Sequence, residues 1–543
     1  MTAPIRNITI VGGGTAGWLA AALLNSLLRE KRPQQDAIEI TLIESPDIPT
    51  VGVGEATVPN MPRTLADCGI SEAQFFRCCN SSFKLGVLFD HWNVDETGAP
   101  IRYVNPFDPP PPIDGVPLAA YYLKYGAGDL EFAQLFSPCL DLREEMRGPR
   151  PFRAGEYPRG PGFAYHLDAG KFAALLRETC VARGVHHVYD NLQEVELSET
   201  GDVAALHLEK GGRHAVELVL DCTGFRGLII NQALGSEFLS YSKYLANDRA
   251  MAVQVPHLTD DIEPMTRSTA LGAGWTWRVP LYNRVGTGYV YSSAHRTDEA
   301  ARDEFMQWVG PAGERLEPRV IPMRVGRNRQ NWVRNCVAVG LSSGFIEPLE
   351  STAIHLVDMS VRQLITYFPD TSYPEPLRAR YNRQMERLYD EVRDFICLHY
   401  ALGNRTDSQY WIDARKELKV SDALAENLAL WRHTLPQAGD LDSAVLFSPQ
   451  VYHAVLLGKR VYDMGFKAEN FAAGYALDED RWWDFVARNR AKLAQFTNRA
   501  ANHRHLLREI RGELMGRERR AVERGETVSV ARAEAELADS SLL

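Results

Sequence analysis

The chain has 543 residues, 45% hydrophobic and 24% charged, the balance of a folded globular protein with about two to four domains or one large composite one. This excludes a mainly disordered chain and a disulfide-stapled miniprotein. With 60 Lys and Arg against 70 Asp and Glu the net charge is −10, which argues against nucleic-acid binding unless the basic residues are gathered on one face.

Only six residues precede the apolar run Asn7-Ile8-Thr9-Ile10-Val11, which predicts a buried strand and leaves no room for a leader. The cluster Gly12-Gly13-Gly14 follows. Ala16 to Arg29 is rich in Ala and Leu and predicts a helix. Ile38 to Ile43 predicts a second strand ending at Glu44, so the first unit is a parallel pair with a right-handed crossover. The proline run in residues 105–115 predicts a rigid extended surface loop, neither helix nor central strand. Glu194–Leu197 and Val216–Asp221 alternate like strands. From about residue 375 the pattern is helical, with Leu377, Tyr381, Met385, Leu388 and Val392 at three- and four-residue spacing. The last forty residues, charged and of mixed sign, predict a solvated helix and a frayed tail. No window holds about 18 uncharged apolar residues, so no membrane span is expected.

The eight cysteines (Cys68, Cys78, Cys79, Cys139, Cys180, Cys222, Cys336 and Cys397) include no CxxC pair. Reduced thiols in a cytoplasmic protein are expected. His186-His187 and His503-x-His505 read as surface histidines, and no metal site is expected.

Gly12-x-Gly14-x-x-Gly17 lies between a predicted strand and a predicted helix, the context that gives this fingerprint its meaning. The first glycine permits the tight turn and the second lets backbone approach a pyrophosphate. The third lets helix and strand pack closely, and the helix N-terminus offers free N–H groups. Glu44 is placed to accept from ribose hydroxyls and disfavours a 2′-phosphate. Leu218–Gly224 and Asn335–Gly344 repeat the strand-then-glycine pattern far downstream. Three such turns fit a long FAD lying across one sheet. One full fingerprint predicts no second fixed nicotinamide domain, so reduced flavin comes from elsewhere.

Further motifs follow in order: GGGTAGW at residues 12–18, GVGEATVP at 52–59, Ser82-Phe83-Lys84, Trp275-Thr276-Trp277-Arg278-Val279-Pro280, and Pro348-Leu349-Glu350-Ser351-Thr352-Ala353-Ile354. Together they resemble the flavin-dependent halogenases of the tryptophan halogenase family, from residue 1 to about 400 and more loosely beyond. The resemblance implies an α/β, FAD-binding Rossmann-like fold of the GR2 flavoprotein type with a mostly helical C-terminal substrate-binding part. Residues 1–400 would form the flavin core with inserted loops of the substrate region, and 401–543 would complete the substrate pocket. It implies an FADH2-dependent enzyme that makes hypohalous acid from a flavin hydroperoxide and halide, with O2 as oxidant, and halogenates an electron-rich aromatic such as indole. A flavin-dependent aromatic monooxygenase or a non-catalytic FAD-binding relative would be the alternatives. The implied partners are a separate NAD(P)H-dependent flavin reductase and a small aromatic substrate, with the chain a monomer or homodimer.

By the same resemblance Lys84 and Glu350 are catalytic. Gly12, Gly14, Thr15, Ala16, Gly17, Glu44, Gly340 and Leu341 hold the cofactor. Thr352 and Ala353 hold bromide or chloride through backbone N–H groups. Asn105, Phe107, Ser351 and Phe447 meet the substrate, and Trp275 and Trp277 stand beside the flavin. Lys84 lies among Phe83, Leu85, Val87 and Phe89, where burial lowers a lysine pKa. Two positions depart from the family pattern. Ala353 stands where glycine is common, which would strain the halide cradle if φ there were positive and shift preference toward bromide. Asn105 stands where tryptophan-specific members carry histidine. Residues 444–453 offer no carboxylate or tyrosine pair, so an indole without charged ends fits better than free tryptophan, its N–H met by Asn105 or a backbone carbonyl.

Overall fold

The computed structural model describes residues 3–30, 38–48, 54–157, 160–313, 316–462 and 474–514. Gly52 and Val53 of the second motif, and the tail from residue 515, lie outside the described residues.

Strand β1 (Asn7–Val11) lies between β2 (Glu39–Glu44) and Leu218–Asp221, parallel to both. His186–Tyr189 adds in parallel beyond β2, and Cys336–Ala338 adds in parallel beyond Leu218–Asp221. The antiparallel pair Trp332–Val333 closes this six-stranded sheet. A parallel sheet is covered on both faces, which is why its strands are nearly unbroken apolar runs. Ile8, Ile10, Ile40, Leu42, Leu218 and Leu220 are buried. Helix α1 (Thr15–Leu24) buries every residue from Gly17 to Leu24 and packs against helices Ala169–Ala182 and Ala353–Thr366.

A second sheet has seven strands, in the order Arg319–Pro322, Arg249–Val255, Val285–Tyr291, Gly274–Pro280, Thr266–Leu271, Gly86–Val94 and Pro100–Pro106. Asn105 and Pro106 end its last strand, opposite Val87 and Gly86, so the predicted loop starts two residues later than the prolines suggested. An edge strand tolerates a terminal proline, because no neighbour needs its missing N–H. A small third sheet places Ala164–Asp168 between Gly54–Ala56 and Ser82–Lys84.

Helix Glu375–Ala401 buries Tyr381, Met385, Leu388 and Val392, as their spacing predicted. Helix Pro449–Gly458 lies on the edge strand Pro100–Pro106. A Cβ on Gly458 would come within 2.7 Å of the Tyr103 Cβ, so only glycine allows this approach.

The end of the described chain departs from the solvated helix expected. Helix His503–Arg511 buries His503, Leu506 and Leu507 against the body of the protein. His503 is fully buried, and His187 is half-buried beside Glu44, so neither is a surface histidine. All eight cysteines are free thiols. Among the described residues no helix is long and apolar enough to cross a membrane, and no cluster of His, Cys, Asp and Glu could hold a metal.

Candidate active site

The glycine loop has one geometry per glycine. Gly12 has φ +120°, and a Cβ there would sit 2.2 Å from the Cys222 carbonyl oxygen. A Cβ on Gly17 would lie 1.9 Å from the Gly12 oxygen, so Gly17 serves strand–helix packing. Gly14 is different: nothing lies within 4 Å of the Cβ position, because the residue faces open space. That space is a cavity of about 600 Å³. Gly12, Gly14, Thr15, Ala16, Glu44, Gly340 and Leu341 line it, with Gly340 packed close against Ala16. A backbone-walled cradle at a helix N-terminus, open where a side chain would intrude, fits the pyrophosphate of FAD. Glu44 is held over Gly13, and its Oε2 lies 2.9 Å from His187 Nε2. Asp221 stiffens the neighbouring turn by accepting from the backbone N–H groups of Thr223, Ile229 and Ile230. Trp275 and Trp277 line the same cavity, their rings 6.3 Å apart, and Ser351, Thr352 and Ala353 line it too.

Lys84 ends the strand Ser82–Lys84 and is fully buried. Its Nζ donates to the Thr57 carbonyl at 3.0 Å and to Ser351 Oγ at 2.9 Å, and lies 5.1 Å from the centre of the Phe107 ring. Burial drives its pKa down to about 7, opposed by the charge of Glu350. The strand is fixed from outside the sheet. Phe83 N–H donates to His503 Nε2 at 3.1 Å. Arg150, in a buried pair with Glu72 at 2.7 Å, lies over the Phe83 ring, and Tyr165 donates to the same carboxylate.

Glu350 ends a single 3₁₀ turn, Pro348–Glu350. Ser351 reverses the chain in the left-handed region at φ +60°, and Thr352 caps helix Ala353–Thr366. Ala353 is the first residue of that helix and is not among the positive-φ residues. The expected strain at Ala353 is therefore absent, and with it the argument from cradle distortion for bromide. The first N–H groups of a helix lack intrahelical partners, which leaves this end suited to an anion.

The Glu350 carboxylate is buried. Asn105 Nδ2 donates to both its oxygens, each at 3.2 Å. His399 Nε2 lies 3.1 Å from Oε1, but its N–H direction misses that oxygen. His399 is stacked on Phe89, its Nδ1 lies 2.9 Å from the Tyr103 hydroxyl, and burial lowers its pKa. Lys84, Glu350, Ser351, Asn105 and Phe107 thus form one connected group. Phe447 does not join it directly: it stacks at 3.9 Å on Phe395, whose ring meets His399 edge-on.

Several residues of the site escaped the reading of the sequence. Glu55 lines the cavity, and burial raises its pKa to about 7. Glu347 is buried, accepts from Asn247 Nδ2 at 2.6 Å and from Trp275 Nε1 at 3.4 Å, and burial raises its pKa. Both stand inside quoted or adjoining motifs, three residues or fewer from residues that were singled out. His399 carries no local signal, and His503 stood out only as one of a close pair read as surface histidines.

Residues 7–470 match the tryptophan halogenase family. The chain is 38% identical over 451 residues to tryptophan 6-halogenase ThaL of Streptomyces albogriseolus, covering 80% of this chain and 83% of that one. It is equally similar, with the same coverage, to tryptophan 7-halogenase RebH of Lentzea aerocolonigenes. Among solved structures, a tryptophan halogenase from Shewanella frigidimarina superposes with a TM-score of 0.87 at 32% identity, covering 94% of this chain and 99% of that one. BrvH, a flavin-dependent halogenase from Brevundimonas sp. BAL3, superposes with a TM-score of 0.81 at 35% identity, covering 93% and 99%. A cleft walled by the glycine loop and by Ser351, which accepts from the buried Lys84, is thus matched by sequence and by fold, and the chain belongs to the tryptophan halogenase family, flavin-dependent halogenases that use reduced FAD, halide and O2.

Proposed function

We propose that this enzyme halogenates a small electron-rich arene without charged ends, indole or a simple indole derivative, using FADH2 delivered by a separate NAD(P)H-dependent flavin reductase. The observation that carries the reading is Lys84: a fully buried amine held between Thr57, Ser351 and Phe107, with its pKa lowered to about 7. The glycine loop and Glu44 hold the flavin, and Thr352 and Ala353 hold the halide at their helix N-terminus. Reduced flavin, when bound, supplies hypohalous acid from O2 and halide. Trp275 and Trp277 wall the cleft and keep the arene from the flavin. As an ammonium Lys84 donates to the oxygen of hypohalous acid, and as a free amine it can carry the halogen as a haloamine. When the ring's π pair takes the halogen from hypohalous acid, the oxygen leaves as water with the proton that Lys84 donates; from the haloamine, whose formation has already released that water, the Lys84 amine is the leaving group. Glu350 accepts the proton from the ring carbon, which restores aromaticity.

The substrate class rests on the lining. Phe107 offers an aromatic face and Asn105 an amide. The acid nearest residues 444–453 is Glu391, and it is engaged already. Its oxygens accept from the backbone N–H groups of Val445, Leu446 and Phe447 and from the Ser443 hydroxyl. Among the described residues, the acid that contacts this stretch is thus already engaged and not left to meet an ammonium, and a charged group buried unpaired costs several kcal/mol. Residues 401–543 supply the helical side of this pocket, and residues 1–400 the flavin core.

The test is Lys84→Ala. It retains FAD binding, because Lys84 is not part of the glycine loop, and forms no halogenated product with reductase, bromide and indole. Brominated product at a rate near that of the unaltered enzyme contradicts the assignment.

A further inference from the structure

Asn105 holds a polar atom with nothing to bind. Both oxygens of Glu350 are acceptors, so the amide must turn its NH2 group toward them, which fixes the orientation of the side chain. Its Oδ1 then points away from the carboxylate, buried and without a donor among the described residues. Asn105 is 6% exposed and stands two residues from Phe107, whose ring lies 5.1 Å from the Lys84 amine. The stranded acceptor therefore belongs to the side chain that holds the base, two residues along the chain from the aromatic face of the same site. Buried acceptors are rarely left unmet, and a donor brought by the substrate would meet this one.

We propose that Asn105 is a specificity-determining residue, its Oδ1 accepting the ring N–H of a nitrogen heteroarene laid against Phe107. The inference rests on the reading of Lys84 and Glu350 as the halogenating pair and commits the substrate class to arenes with a ring N–H. The same amide does two jobs: its NH2 aligns Glu350 and its oxygen aligns the arene. The N–H acceptor and the base are thus adjacent groups. A site built to bind a polar hydrogen rejects the analogue that lacks it far more strongly than a greasy pocket rejects an extra methyl group.

The experiment uses the full-length enzyme with FAD, a flavin reductase and bromide, and compares indole with 1-methylindole. The ratio of kcat/KM values is referred to the reactivity of the two arenes toward hypobromous acid in solution, which removes their intrinsic difference. The unaltered enzyme is expected to favour indole by at least about tenfold. Asn105→Leu removes the acceptor and is expected to bring the ratio to about one, by slowing indole and not by speeding 1-methylindole alone. If Asn105→Leu fails to fold, the smaller Asn105→Ala, which also removes the acceptor, carries the same comparison. Equal turnover of both arenes by the unaltered enzyme overturns the role of Asn105 and leaves the halogenase reading standing. Turnover of neither overturns both. An undiminished preference for indole in a folded Asn105→Leu also overturns the inference, because another acceptor then reads the N–H.

Discussion

Among the described residues two lysines are fully buried, Lys84 and Lys459, and burial brings both to a pKa of about 7. Their neighbours separate them. Lys84 reaches Thr57, Ser351 and Phe107 beside the flavin cleft. Lys459 donates to Asn93 Oδ1 and lies 5.2 Å from the centre of the Tyr103 ring and 5.9 Å from that of Trp92. Perturbed titration alone would have chosen both, and geometry chooses one. Lys459 also makes a stability prediction with a definite sign. Its pKa falls from 10.5 to about 7 on folding, so across that range the unfolded chain binds more protons than the folded one. Stability from this group then rises with pH, and the penalty of burial is full below about pH 7 and fades toward about pH 10. Lys459→Met escapes the penalty. Its unfolding free energy, measured by urea titration and taken relative to the unaltered protein, should be highest near pH 7 and decline steadily to about pH 9. A difference that stays flat contradicts a lysine whose pKa falls on burial. Single residues were legible in the sequence where their chemistry is local. Gly12, Gly14 and Gly17 declare a turn, and Lys84 declares its apolar flanks. The contact of Asn105 with Glu350, across 245 positions, declares nothing until the chain has folded.

At the scale of elements, the strand Ser82–Lys84 depends on a helix more than four hundred positions away. His503, the first residue of helix His503–Arg511, accepts from Phe83 N–H and contacts the Ile262 carbonyl through its other ring nitrogen. Both bonds are buried, and both nitrogens have a partner. His503→Leu keeps the bulk and leaves a buried N–H unmet, which costs about 1–3 kcal/mol. The urea midpoint should fall with little change in slope, and halogenation should slow, because the strand that loses its anchor carries Lys84. A variant with unaltered stability and turnover would show that the helix only covers the strand. This dependence also explains the misreading of the chain's end. A segment of mixed charge looks solvated when its few apolar residues, here Leu506 and Leu507, cannot be seen to share a buried face with a histidine. The opposite held for helix Glu375–Ala401, whose long apolar period was plain. The strand boundary at Asn105 and Pro106 was hidden by the prolines that follow and is explained by the edge position of the strand.

Across the whole molecule, the cleft is lined from both large sheets, the six-stranded one with the glycine loop and the seven-stranded one with Trp275 and Trp277. The turn Pro348–Glu350 and the strand Ser82–Lys84 bring the reacting groups together at their junction. The Rossmann-like half was legible because each of its strands is continuous and each glycine turn is local. The surroundings of Asn105 and Phe447, where we propose the substrate binds, were not, because they are assembled from the edge strand Pro100–Pro106, the end of helix Glu375–Ala401 and the segment before helix Pro449–Gly458, with Phe447 two rings behind Glu350. The central claim is that this region accepts an arene without charged ends. The direct measurement is competitive bromination of indole and L-tryptophan in one vessel with FAD, NADH and a flavin reductase, products being assigned by mass spectrometry and NMR. Indole should be halogenated at least about tenfold more efficiently, at the carbon its own electronics favour, and no product should form without the reductase. A preference for L-tryptophan, with clean substitution on its benzene ring, would contradict the account.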